Sequence, residues 1–372
     1  MDATTRIEKS TKLSDVYAAW DALTQSGKDR PLGEMKYVGY SGDLYVPSGS
    51  SVSHIQGYVK YYTNFPDNEG VDCRTFHIFS HSDVSGQKGD LYFISECRQY
   101  TFHLRIPVRE VTEKEIDPGS SKNRYYNHPG GIQAIGNYLM VPVQASKGLS
   151  FSRSFILYCV DLTPLNQQIP TAPVNINEIL RSNQIGAMCV GVTDVKCEIS
   201  PSSNVDEQKY MFAILGSSKD LHIYIIGTST DFKDIQHHGE VEREQTYTVA
   251  EKYQNIGLFS NISGEVFMLG FDRKNYTDSV SLYSLTNFDG TDLKGGNKLM
   301  PLRTKKVTTN HDGSNKITFD KGAGFDIPNE DQLFLYATSD KVNTVNKYFP
   351  INIFKSHAGN AETILAMEES RG

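Results

Sequence analysis

The sequence predicts an all-β chain: a β-propeller of six blades, with five or seven as the alternatives, and a short helix at the N-terminus. One domain spans residues 1–372, and residues 1–30 are its helical extension. Two observations carry this expectation. The first is a recurring motif with no fixed spelling, an apolar stretch holding Gly and an isolated polar residue, followed by a turn and a β-rich run. It runs from Tyr126 to Val141, returns from Tyr253 to Leu269, and returns again from Phe319 to Tyr336. Repeats of this size built from strands point to blades around an axis. The second is composition. There are 21 Tyr and 18 Phe against a single Trp, Trp20, and Tyr and Phe favour strands.

The elements follow in order. Leu13, Val16, Tyr17, Trp20 and Leu23 recur at the spacing of one helical face, with Ser14 as the cap, which predicts a short helix closing one end of the ring. Six repeats come next, at about 34–65, 75–110, 126–163, 184–227, 253–286 and 319–354. The first strand of each blade lines the axis. Glycines there let backbones crowd together, which accounts for Gly130, Gly131, Gly186, Gly257, Gly322 and Gly324. The polar stretches 111–125, 163–182, 228–250 and 287–318 read as connections, long enough for some to cover one face. The blades lack the His and Trp-Asp marks of WD repeats.

Residues just before the innermost strands of a propeller meet at one mouth. Here they are His54, Gln56, His77, His81, Asn127, His128, Gln133, Asn183, Gln184, Gln254, Asn255, Asp320 and Lys321. His128 is the first candidate for catalysis, as an acid or base near neutral pH. Pro129 holds it extended, and Gly130-Gly131 leaves room for a ligand beside the backbone. Asp320 and Lys321 are the second catalytic candidates. His54, His77, His81, Asn127, Gln133, Asn183, Gln184, Gln254 and Asn255 are expected to bind substrate. Bland readings stand beside these: His128 and Gln133 as groups that only bridge blades, and Asp320-Lys321 as a solvated pair.

No metal is assigned. Zinc signals are missing, since no His-Glu-x-x-His and no ligand-spaced Cys pairs occur. Calcium is the alternative: Asn127, Asn183, Asn255 and Asp320 supply oxygen in an arrangement that resembles six-bladed lactonases, although the ring lacks a Glu.

Composition narrows the partners. A formal net charge of -7 argues against a nucleic-acid groove and against anionic membranes. No apolar run is long enough to span a bilayer as a helix. The polar N-terminus lacks the core of a secretion signal, so the chain is expected to be cytoplasmic, or secreted with its signal already removed. The five Cys form no paired pattern and read mostly as buried thiols. Two glycosylation sequons, Asn261-Ile262-Ser263 and Asn275-Tyr276-Thr277, carry no weight toward secretion, since an Asn-rich chain produces a couple by chance.

The string His128-Pro129-Gly130-Gly131-Ile132-Gln133, with Gly136 to Val143, resembles a family of largely uncharacterised propeller-like proteins. Gly322-Ala323-Gly324-Phe325, with Leu333 to Thr338, looks like the last-blade motif of that family. The overall plan is similar to cofactor-free propeller enzymes of natural-product pathways, including fungal hetero-Diels-Alderases. The resemblance implies a small-molecule ligand at the axis and cyclisation, elimination or cycloaddition without a cofactor. The rivals are a lectin or protein-interaction propeller, and a calcium-dependent hydrolase.

Overall fold

The computed structural model describes residues 12–23, 34–40, 53–63, 75–83, 88–112, 123–147, 150–182, 185–195, 208–216, 219–228, 241–285, 298–309, 311–312, 315–340 and 347–356. Its strands form five separate sheets, the blades of a five-bladed β-propeller. Blade 1 comprises Ser53–Tyr62, Thr75–Asp83, Lys88–Ser95 and Thr101–Arg105. In blade 2 an interrupted inner strand, Asn123–Pro129 and then Gln133–Ile135, pairs with Tyr138–Lys147. Ser150–Asp161 and Ile176–Ser182 complete that sheet outward, and Arg109–Thr112 adds to its inner edge. Blade 3 runs through Cys189–Val195, Gln208–Leu215, Asp220–Thr228 and Val241–Val249. Blade 4 has Asn255–Asn261, Val266–Lys274, Thr277–Ser284 and Arg303–Val307. Blade 5 has Asn315–Asn329, Gln332–Ser339 and Tyr348–Lys355, and Glu34–Gly39 forms its outer strand.

That last strand corrects the expected six blades to five. Glu34–Gly39 pairs antiparallel with Tyr348–Lys355, so the start of the chain closes the final blade. The first two sequence repeats therefore share one blade: Ser53–Tyr62 is the inner strand of the sheet that continues through Thr75–Asp83. Three stretches read as connections supply outer strands instead, Ile176–Ser182, Val241–Val249 and Arg303–Val307. Outer strands face solvent along much of their length, so a sequence such as Arg303-Thr304-Lys305-Lys306 carries little apolar signal.

The core lies between blades rather than in one centre. One apolar cluster joins Phe259, Phe267, Leu269 and Phe271 of blade 4 to Phe319, Leu333 and Leu335 of blade 5. The N-terminal segment fills the same seam with Leu13, Val16, Ala19, Trp20 and Leu23. Within it a single helix, α1, covers Val16–Ala22. Its N-cap is Asp15, not Ser14: the Asp15 carboxylate accepts from the Ala18 N–H at 2.9 Å. Ser14 instead donates to Asp331 at 2.7 Å and anchors the segment to blade 5. Lys12–Leu13 pairs in parallel with Ser260–Asn261, and Lys12 reaches Asp194 of blade 3 at 3.0 Å.

Candidate functional site

The five inner strands lie side by side around the axis, so the ring has a leading face, where they begin, and a trailing face, where they end. The leading face gathers several of the sequence-derived candidates. Gln56 donates from its amide to Nε2 of His54 and stands 3.3 Å from Nε2 of His128. The rings of His54 and His128 meet edge to face at 6.2 Å. Lys321 sits close enough that its charge, after burial, helps lower the His54 pKa to about 3. Burial lowers His128 to about 4, against the opposing effect of a backbone hydrogen bond. His81, also lowered to about 4 by burial, lies 4.0 Å from Asp90. Asp90 in turn accepts from His103 at 2.7 Å and Arg105 at 2.6 Å. At neutral pH these imidazoles, His81 and His128 buried and His54 partly so, are uncharged hydrogen-bonding groups.

The remaining candidates are dispersed. His77 is buried in blade 1, where it shares a 2.8 Å hydrogen bond with the Tyr58 hydroxyl and lies 3.6 Å from Glu96. Asn127 accepts from Ser146, and Asn255 donates to the Lys321 carbonyl at 2.5 Å. Asp320 accepts from Thr318. Gln254 is half-buried, with its backbone N–H bonded to the Phe271 carbonyl at 3.2 Å. Asn183 and Gln184 lie outside the described residues. Among the described residues no three His, Cys, Asp or Glu side chains form a metal-sized group.

Gln133 has a defined structural place. Its Nε2 donates to the carbonyls of Val192 at 2.8 Å and Leu258 at 2.7 Å. Its Oε1 accepts from the N–H groups of the same residues at 3.0 and 2.9 Å. The carboxamide stands between the inner strands of blades 3 and 4 as a peptide group would, and meets the demand of four buried backbone groups.

Gly130-Gly131 does not leave room for a ligand. A Cβ on Gly130 would lie 1.9 Å from the Met188 carbonyl oxygen, and one on Gly131 would lie 2.3 Å from Asn255 Oδ1. Gly131 bonds to blade 3 in both directions, N–H to Met188 O at 2.9 Å and carbonyl from Val190 N–H at 3.1 Å. The Ser80 hydroxyl of blade 1 donates to the Gly130 carbonyl at 2.7 Å. The glycines thus seat three blades against each other. The axial crowding expected of them is what the structure shows.

The concave site opens on the trailing face. Its lining includes Val59, Lys60, Tyr61 and Tyr62 of blade 1, Ile132, Asn137 and the sequence candidate Gln133 of blade 2, Ile256 of blade 4, and Phe325, Asp326 and Ile327 of blade 5. The Tyr62 hydroxyl donates to Asp326 Oδ2 at 2.5 Å, and the Lys60 ammonium lies 4.8 Å over the Tyr62 ring. Asp326 is 8% exposed. Burial pushes its carboxyl up to about 6, against the opposing pull of the Tyr62 hydrogen bond and the Lys60 charge. On the blade 2 side, Tyr61 donates to Asn137 Oδ1 at 2.9 Å, and Asn166 donates to the same oxygen at 2.7 Å.

None of Lys60, Tyr61, Tyr62, Asn137, Phe325 or Asp326 is among the candidate site residues of the sequence, although Asn137 and Phe325 lie in the motifs that carry the family resemblance. The available signal is position: Tyr58 to Tyr62 and Gly324 to Asp326 lie toward the ends of inner strands, which matter as much as their starts. Neither a protein-family model nor a curated protein matches the chain. Among the described residues no helix is long and apolar enough to cross a membrane.

Proposed function

We propose that this propeller binds a small organic molecule in the cavity on its trailing face and turns it over by proton transfer at Asp326, without a cofactor. The observation that carries this reading is the Asp326–Tyr62 pair, set in a wall otherwise dominated by apolar and aromatic side chains. Such concave, mostly apolar surfaces with a few placed polar groups are typical of ligand sites. A buried carboxyl with a displaced pKa in that setting marks a functional candidate. With a pKa of about 6, Asp326 exchanges protons readily near neutral pH.

The Tyr62 hydroxyl fixes the carboxyl, Asn137 offers an amide, and Tyr61, Tyr62 and Phe325 present ring surfaces. These groups suit a ring-containing or unsaturated substrate. The reaction class is cyclisation, elimination or cycloaddition, where positioning supplies much of the rate. Asp326 takes the role that the sequence suggested for His128. A saccharide fits the same aromatic and polar groups as a bound ligand. Hydrolysis of a glycoside would ordinarily require two carboxyls across the bond, and Asp326 is the one carboxylate among the described residues of this lining.

The test is native mass spectrometry of the purified full-length chain, as isolated and then against unsaturated, aromatic and saccharide compounds. The expected result is a retained or added organic mass of a few hundred daltons, roughly the size such cavities enclose. Its affinity drops at least about tenfold, equivalent to 1.4 kcal/mol, in Asp326→Asn and Tyr62→Phe but not in His128→Gln. Binding that ignores the first two variants overturns the reading. A retained mass of calcium alone, with no organic ligand, favours the calcium-dependent hydrolase instead.

A further inference from the structure

Blade 4 carries two Asn-x-Ser/Thr sequons that are equivalent in sequence and opposite in structure. Asn261, at the end of the inner strand, is only 7% exposed. Its Nδ2 donates to the Glu265 carboxylate at 2.6 Å. Its Oδ1 accepts from the Glu265 N–H and from Ser263 Oγ, each at 2.8 Å. The amide that would carry a sugar is part of a closed turn, and so is the hydroxyl of Ser263.

Asn275 sits at the tip of the hairpin between Val266–Lys274 and Thr277–Ser284. Lys274 pairs directly with Thr277, which leaves Asn275 and Tyr276 as a two-residue loop. Both have positive φ, 50° and 64°, as the tight hairpin turn of that twist requires. Asn tolerates this region; an aromatic residue does so at a cost. Lys274, Asn275, Tyr276 and Thr277 are all exposed, with Tyr276 at 85%. Asn255 pairs with Phe271 in this sheet, so the hairpin tip projects at the leading face, away from the cavity.

A separate observation concerns the redox state. Cys97, in the turn between Lys88–Ser95 and Thr101–Arg105, is disulfide-bonded. The sequence shows no paired pattern that marks this bond, while Cys159 and Cys189 are buried free thiols as read. Disulfides persist in oxidising compartments, and extracytoplasmic chains with exposed sequons are the ones that acquire N-linked sugars.

We propose that Asn275 is an N-glycan acceptor and Asn261 is not. In the modification a new bond joins Nδ2 of Asn275 to the anomeric carbon of an oligosaccharide carried on a polyprenyl pyrophosphate. The bond from that carbon to the pyrophosphate oxygen breaks, the lipid pyrophosphate leaves with the electron pair, and the amide proton passes to a base of the transferase. The Thr277 hydroxyl completes the acceptor sequence.

The test is expression of the full chain behind a cleavable leader in a eukaryotic secretory host, with intact mass read on the chain extracted from cells and medium together. One glycan is expected, removed by peptide-N-glycosidase with conversion of Asn275 to Asp. It disappears in Asn275→Gln and in Thr277→Val. It remains in Tyr276→Gly, which keeps the sequon and relieves the turn. An unmodified wild-type chain in that compartment overturns the proposal, as does a glycan that survives Asn275→Gln.

Discussion

The Tyr62 hydroxyl donates to Asp326 at 2.5 Å and so joins the trailing ends of the inner strands of blades 1 and 5. These two blades meet where the ring closes. Asp326 has a folded-state pKa of about 6, raised by burial above its ordinary 3.8. Between those values the folded state binds more protons than the unfolded one. Stability therefore falls as pH rises from about 4 through about 6, and levels off above that. A shift of this size corresponds to about 3 kcal/mol. Asp326→Asn abolishes this contribution, so the variant gains about that much relative to wild type between pH 4 and pH 8. Tyr62→Phe removes a donor to the carboxylate and moves the step to higher pH. Urea denaturation across that range checks both, and a wild-type-minus-variant difference that does not change with pH would falsify the assignment.

The buried histidines act in the opposite direction. His128 and His81 are lowered to about 4 by burial, so their neutral forms are the folded forms. The stability they permit is complete above pH 6.5 and is lost as pH falls toward 4. For His128 the loss at pH 4.5 is about 2 to 3 kcal/mol. His128→Gln keeps a polar group without the titration. It is expected to flatten the acid limb of the stability profile by that amount, even if it costs stability at pH 7. An unchanged acid limb would mean that His128 charges freely in the folded ring.

The strands were legible because Tyr, Phe and β-branched residues alternate along them, and because axial glycines punctuate them. The blade count was not. Met35 to Gly39 and His54 to Tyr62 look like one repeat, and nothing local says that Glu34–Gly39 pairs with Tyr348–Lys355 at the other end of the chain. The trailing-face cavity was not legible for a similar reason. The sequence puts a mouth at the residues before the inner strands, and His54, Gln56, His128 and Lys321 do converge there. The cavity opens at the other end, where Tyr62 and Asp326 read in sequence as ordinary strand residues. Gly130-Gly131 signals close approach in either reading, and what approaches is the Met188–Cys189 backbone and not a ligand.

Gln133 links blades 2, 3 and 4 through the four hydrogen bonds to Val192 and Leu258. Gln133→Leu is close in size but leaves two N–H and two carbonyl groups buried without it. Each unsatisfied group costs roughly 1–3 kcal/mol, so a loss of about 4 kcal/mol or more is expected. Gln133→Glu still accepts from the N–H groups of Val192 and Leu258 but no longer donates to their carbonyls, and it buries a charge, so it falls at least as far at neutral pH and recovers in part as pH drops. Denaturation midpoints at pH 7 and 5 check this. A Leu variant within about 1 kcal/mol of wild type, the worth of one ordinary hydrogen bond, would show that the inner strands do not depend on this amide.

Lys305 ties the N-terminal segment to blade 4. Its ammonium, on a side chain 5% exposed, donates to the carbonyls of Trp20, Asp21 and Leu23, the last at 2.8 Å, and so serves the C-terminal end of α1. Burial lowers its pKa, and Asp21 opposes that shift. Lys305→Met keeps the aliphatic packing beside Trp20 and removes all three donors. Because Trp20 is the chain's single Trp and is buried, its emission reports this docking alone. In wild type the Trp20 emission shift and the loss of β-sheet circular dichroism are expected at the same urea concentration. In Lys305→Met the emission should redden first, with the segment 12–23 becoming sensitive to protease while the blades remain folded. The local loss is about 2 kcal/mol, the scale of hydrogen bonds to a charged group. Transitions that stay coincident in the variant would show that Leu13, Val16 and Trp20 hold the segment by burial alone, with Lys305 adding nothing.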